Sequence, residues 1–181
     1  MEKQIIWTGI DCLSIEKCSI SKKEDSFHIK GELVGNRNNQ VFGVEYQIVV
    51  DLQWQTRFFS INSSVANRYN SISGHKLNHL WIIDEVEYPE FSSCLDIDIS
   101  VTPFTNTLPI NRLKLDIGES AEIDVLYLNP VEDKRVMVKQ QYTKLGEHSY
   151  HYKNLWSDFE ATIEVDAEGI ITSYPKLFAR L

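Results

Sequence analysis

Asp96 and Asp98 stand two residues apart in Leu95-Asp-Ile-Asp-Ile-Ser100, so on a strand both carboxylates leave the same face. Such a pair has the makings of a general acid and base for glycoside cleavage, which works across separations of about 5 to 9.5 Å. The stronger reading makes them solvated outward positions of an amphipathic strand. Arg57 and Arg112 each interrupt an apolar or aromatic stretch. A guanidinium there needs a carboxylate, with Asp51, Asp96 and Asp98 as the candidates, or it needs a ligand. His75 and His79 lie four apart, but Ser73-Gly74 before them and Lys76 and Asn78 between them suggest a loop rather than a metal-binding helix. His148 and His151, three apart on an expected strand, point to opposite faces. No metal site is expected, no glycine cluster cradles a phosphate, no Gly-x-Ser-x-Gly elbow occurs, and no cofactor is implied.

The aromatic supply points elsewhere. Trp54, Trp81, Phe104, Tyr127 and Tyr142, with Trp7, Tyr46, Tyr150, Tyr152 and Trp156, are spread along nearly the whole chain. Tyr and Trp combine an apolar body with a polar tip, which suits the wall of a cavity for an amphipathic ligand. An ordinary β-protein core uses the same residues, and composition by itself ranks that filled core first.

The elements that position these groups are strands. Period-2 alternation runs from end to end and helical periodicity is nearly absent. Strands are expected at 27–33, 44–50, 54–60, 80–86, 95–101, 123–127, 136–142, 149–152, 161–166 and 170–174, with turns at Gly35–Asn39, Asn70–Gly74 and Ala167-Glu-Gly169. The stretch from Thr102 to Leu115 breaks the rhythm with Pro103 and Pro109 and reads as an apolar loop with a short helical turn. About ten strands in one chain must curl into a barrel or stack as two sheets, so the expected fold class is all-β, mainly antiparallel, in a single domain over 1–181.

The chain has 181 residues, enough for one sizeable core, and its 18 basic and 26 acidic residues give a formal charge of -8. No third of the chain is basic. Nucleic acid and anionic bilayers are therefore disfavoured as partners. No apolar run approaches the roughly 20 residues that cross a membrane. The start carries no export signal, and Cys12, Cys18 and Cys94 form no Cys-x-x-Cys pattern. They read as reduced thiols in a cytoplasmic protein.

Particular blocks add a resemblance. Thr102-Pro-Phe-Thr-Asn-Thr-Leu-Pro-Ile110, followed by Arg112-Leu113, resembles the most recognisable block of the putative glycolipid-binding family of mostly bacterial proteins. Trp7 with Gly9, Asp51-Leu-Gln-Trp54-Gln-Thr-Arg57, Cys94-Leu-Asp96-Ile-Asp98, Tyr127-Leu-Asn-Pro130, Gln140-Gln-Tyr142, Val165-Asp-Ala-Glu-Gly169 and Tyr174-Pro175-Lys-Leu-Phe178 are similar too, in order along the chain. Asn111 departs from the pattern where a second arginine is expected, and residues 62–78 carry few landmarks. The resemblance implies a barrel or half-barrel of cupped sheets, similar to lipoprotein-localisation factors, with a lipid-sized concavity. It brings no catalytic residues.

The expectation that follows is a non-enzymatic binder of a lipid or glycolipid. Trp54, Trp81, Tyr127 and Tyr142 would line the pocket, and Arg57 and Arg112 would meet the head group. Asp51, Asp96 and Asp98 would accept sugar hydroxyls or hold the arginines, and Phe104 would sit in an apolar lip over 103–110. The alternatives are a saccharide- or lipid-ester-processing enzyme built on Asp96 and Asp98, and an interaction domain with a filled core.

Overall fold

A computed structural model describes residues 2–181. Eight strands follow one another as an antiparallel meander: β1 (Glu2–Gly9), β2 (Ser14–Lys22), β3 (Ser26–Arg37), β4 (Gln40–Asp51), β5 (Thr56–Val65), β6 (Arg68–Leu77), β7 (Leu80–Ile83) and β8 (Val86–Tyr88). Then come β9 (Asp96–Ile99), a 3-10 turn at Phe104–Asn106 that runs into α1 (Thr107–Leu113), β10 (Ser120–Asn129), β11 (Lys134–Gly146), β12 (Ser149–Asn154), β13 (Glu160–Val165), β14 (Ile171–Tyr174) and β15 (Phe178–Arg180). β15 returns to pair with β1, Trp7 opposite Arg180, so all fifteen strands join one sheet whose two edges are β8 and β9. The pairing of β9 with β10 is parallel. Only residues 89–95 separate the two edges along the chain, so the sheet must curl. Thr56 N donates to Leu95 O at 3.1 Å and Trp81 Nε1 to Cys94 O at 3.0 Å, drawing the rims together without closing the barrel.

The alternation holds where strands are expected, with Ile29, Val44, Tyr46, Ile48 and Phe59 facing inward, and β1 and β2, which lie before the first expected strand, add Trp7 and Cys18 to the same side. They form one core with Phe104 and Leu108 of the helical segment. A second core gathers Tyr142, Tyr150, Tyr152, Ile163, Tyr174 and Phe178 around Ile110 and Leu115.

Several turns differ from expectation. Asn70–Gly74 is the middle of β6, not a turn. Gly74 is there because its face meets Phe59, whose ring would lie 2.6 Å from an added Cβ. Four two-residue hairpin turns, Asn38-Asn39, Ala66-Asn67, Asn78-His79 and Asp84-Glu85, have both φ values positive, the geometry that matches the twist of paired strands. Asp84-Glu85 also divides the expected strand 80–86 in two. Trp54 is not a strand residue: it sits in the turn before β5 at φ 64°.

Candidate functional site

The largest correction concerns Thr102 to Ile110. Every residue of this block is buried, so it is not an exposed lip but a plug threaded into the curl of the sheet. Its polar side chains bind the surrounding wall. Thr102 Oγ1 donates to Glu16 Oε1 at 2.8 Å, and Thr105 Oγ1 donates to Asp98 at 3.2 Å while accepting from Ile99 N. Asn106 Oδ1 accepts from Tyr142 OH at 2.9 Å, and Asn111 Nδ2 reaches Glu168 O at 3.1 Å. Arg112 grips Asp96 with Nε at 3.1 Å and Nη2 at 2.6 Å.

Asp96 and Asp98 do share one face, but it is not solvated. Asp96 has no exposure, and burial raises its pKa against the opposing pull of Arg112. Asp98 is raised for the same reason, held back by Gln140 Nε2 at 2.7 Å and by Thr105. Another buried carboxylate, in addition to Asp96 and the half-buried Asp98, escaped sequence reading. Glu16 lies on the inward face of β2, its Oε1 bonded by Tyr46 OH at 2.5 Å and by Thr102, with no ion-pair partner among the described residues, and burial pushes its pKa up to about 7. The signal was available: within Ser14-Ile-Glu-Lys-Cys18, Glu16 falls in register with inward Ser14 and Cys18.

The other expected site residues do not converge. Asp51 accepts from Gln53 N and Gln55 N and pairs with Arg57 Nη2 at 2.5 Å, organising the turn before β5, where Trp54 stacks on Phe27 with centroids 4.7 Å apart. Trp81, Phe104 and Tyr142 fill the interior with almost no exposure, and Tyr127 is partly buried beside Asp98. Trp81 and Phe104 pack into the first core and Tyr142 into the second.

A concavity of about 820 Å³ lies on the outward face of β1 to β6. Register makes its floor two cross-strand rows. The first joins Ile15, Val34, Gly43, Ser64 and Tyr69 from β2 to β6. The second joins Ile6, Lys17, Glu32, Glu45, Asn62 and Ser71 from β1 to β6. Gly43 has no side chain and Ser64 a short one, so the first row is deepest at its centre. Its length from β2 to β6 is about 19 Å at the usual strand spacing. Among the described residues, Lys17, Glu32 and Glu45 have no oppositely charged partner within 4.0 Å, although Glu32 stands directly opposite both others. Sequence reading missed this face because strict alternation assigns outward positions to solvent. The hint was Ile15 and Val34, apolar residues out of phase on neighbouring strands.

A curved antiparallel sheet wrapped around a helical plug, with a groove on its outer face, defines the class of protein. The family described as "Putative glycolipid-binding" matches residues 4–180, and the chain belongs to it. A crystal structure of a DUF1089 family protein from Pseudomonas aeruginosa superimposes with a TM-score of 0.82 at 31% identity, covering 92% of each chain. No curated protein matches.

Proposed function

We propose that this protein binds an amphipathic lipid or glycolipid, without chemistry of its own, in the outward groove of β1 to β6. The observation that carries the reading is the division of that 820 Å³ groove into one apolar row and one polar row. Its volume falls within the several hundred cubic ångströms usual for small-molecule sites. A hydrocarbon chain laid along Ile15, Val34 and Gly43 removes their apolar surface from water. Sugar hydroxyls on the other side meet Glu32, Glu45, Asn62 and Ser71, and Tyr69 at the rim offers a ring to a sugar face. Two like charges placed directly opposite across strands cost the sheet stability, and hydroxyls donated to Glu32 and Glu45 offset that cost. The interior is ill suited to the same task, because Asp96 and Arg112 already satisfy each other and the aromatic rings leave no open wall.

Filling the groove tests this. Gly43 has an ordinary φ, and a Cβ there meets Ser64 Oγ at 3.1 Å and Leu33 O at an ordinary 3.9 Å, so Gly43→Phe fills the middle of the row from the outward face. Titration with monomeric dodecyl-β-glucoside should show binding to the parent protein and a loss of at least roughly tenfold in the variant, the order expected for displacing several buried methylenes. Equal affinities in the two proteins would place the ligand elsewhere, and native mass spectrometry of protein purified from its host would then show whether any lipid is carried.

A further inference from the structure

We infer that the groove is loaded from a neutral, zwitterionic lipid surface, against which the protein sets the end of the sheet formed by the β1–β2, β3–β4, β5–β6, β7–β8, β10–β11, β12–β13 and β14–β15 turns. This rests on the groove reading and adds where its ligand comes from. Backbone and side-chain bonds tie turns of this end together: Asn36 N to Cys12 O, Ala66 N to Val41 O, Ile10 N to Leu177 O, Asn70 Nδ2 to Asp133, and Arg135 Nη1 to Asp84.

Two observations select the surface. The first is a gradient along the strands. At the tips stand Ile10, Leu13 and Val41, each more than half exposed, with Leu13 at 77%. Next inward comes the apolar row of the groove, Ile15, Val34, Gly43, Ser64 and Tyr69, and beyond it the polar row with Lys17, Glu32 and Glu45. An amphiphile in the groove therefore has its apolar side toward the exposed tips, the orientation it holds in a bilayer leaflet. Exposed apolar side chains continuous with a ligand groove mark a place where lipid is met.

The second observation is charge. At this end Arg37, Arg68, Lys134, Arg135 and Lys176 stand against Asp11, Asp84, Glu85, Glu132, Asp133 and Asp158, a near balance in a chain of net charge -8. The opposite end, where β2–β3, β11–β12, β13–β14 and the segment after α1 turn, exposes Glu24, Asp25, Asp116, Glu119, Glu147 and Glu168 against Lys23 and Lys114. An anionic surface repels that acidic end in any pose and finds no cationic patch to hold, so the fitting partner is an uncharged or zwitterionic interface.

The test is flotation with phosphatidylcholine vesicles, comparing the parent chain with an Ile10→Ser, Leu13→Asn double variant. Asn tolerates the positive φ of 42° at Leu13, and both positions are exposed, so the fold should be unaffected. The parent protein should float, and the variant's partitioning should fall roughly tenfold or more, the loss expected for two apolar side chains no longer buried in lipid. Binding of monomeric dodecyl-β-glucoside should be the same in both. Adding phosphatidylglycerol to the vesicles should weaken flotation. A parent protein that stays with the aqueous fraction, a variant that floats equally well, or flotation strengthened by phosphatidylglycerol each overturns the inference. Glucoside that binds neither protein sinks the groove reading, whatever the vesicles show.

Discussion

Arg112 and Arg57 each meet an aspartate at close to 2.5 Å, yet they belong to regions governed by different physics. Arg112 and Asp96 join the plug to β9 inside the molecule, with 14% and 0% of their side chains exposed. Arg57 and Asp51 join β5 to the end of β4 across the intervening turn, with 54% and 15% exposed. In water the two partners of an ion pair can each be rehydrated when the other is lost. In the interior they cannot, so a surviving charge carries the full cost of desolvation. The same chemical pair is therefore a structural bolt in one region and a minor restraint in the other.

The sharpest test of that contrast is Arg112→Ala. It leaves Asp96 buried without its counter-charge and should cost about 3–5 kcal/mol, a fall in Tm on the order of 10 °C for a chain of this size. Replacing both partners, Asp96→Leu with Arg112→Met, should recover much of the loss. A double variant as unstable as the single one would show that the plug depends on packing alone.

Next in size is Glu16, which occupies the plug's other anchor with hydroxyl donors in place of a cation. Its pKa of about 7 in the folded protein lies above its ordinary value of 4.5, so the folded state holds the extra proton between those limits. Stability is fully present below about pH 4.5, declines as pH rises toward 7, and levels off above it. The whole change is on the order of 3 kcal/mol at most. Glu16→Gln keeps an acceptor for Tyr46 and Thr102 and should flatten this slope in urea melts taken from pH 4.5 to 8. Asp166 provides the opposite case: Arg180, Lys3 and the N–H groups of Ile170 and Glu168 overcome burial and hold its pKa near 2, so its contribution disappears as pH falls below about 3.8.

Arg57→Ala should have the smallest effect, below about 1 kcal/mol, because its guanidinium is already half in water and Asp51 keeps its two backbone donors. A loss as large as that of Arg112→Ala would erase the distinction between the regions.

The strands and the all-β class were legible because alternation reports directly on half-buried pleats, as in Val44 to Val50. The plug was half legible. Pro103 and Pro109 ruled out a strand, but nothing local says whether an apolar loop lies over a sheet or inside it, and only the partners of Thr102, Thr105 and Asn106 decide that. Asp96 and Asp98 were placed on one face correctly and assigned to solvent wrongly, because alternation identifies faces without naming what covers them. The turn at Ala66-Asn67 carries a weaker signal than Asn70–Gly74, and Gly74 was misread because a glycine needed for packing looks like one needed for positive φ. The groove arises from register across six strands, which no single segment of sequence displays.

The strand order has a consequence for the time at which the molecule becomes whole. β1 through β8 are neighbours in sequence and can pair hairpin by hairpin as the chain lengthens, each step closing a short loop. β1, however, waits for β15, the last of the fifteen strands in chain order, and until then its second edge is bare. The block that fills the curl, 102–110, emerges with six strands still to come. The first half of the sheet must therefore hold its inward face partly uncovered during synthesis, and the final three-residue strand completes the sheet.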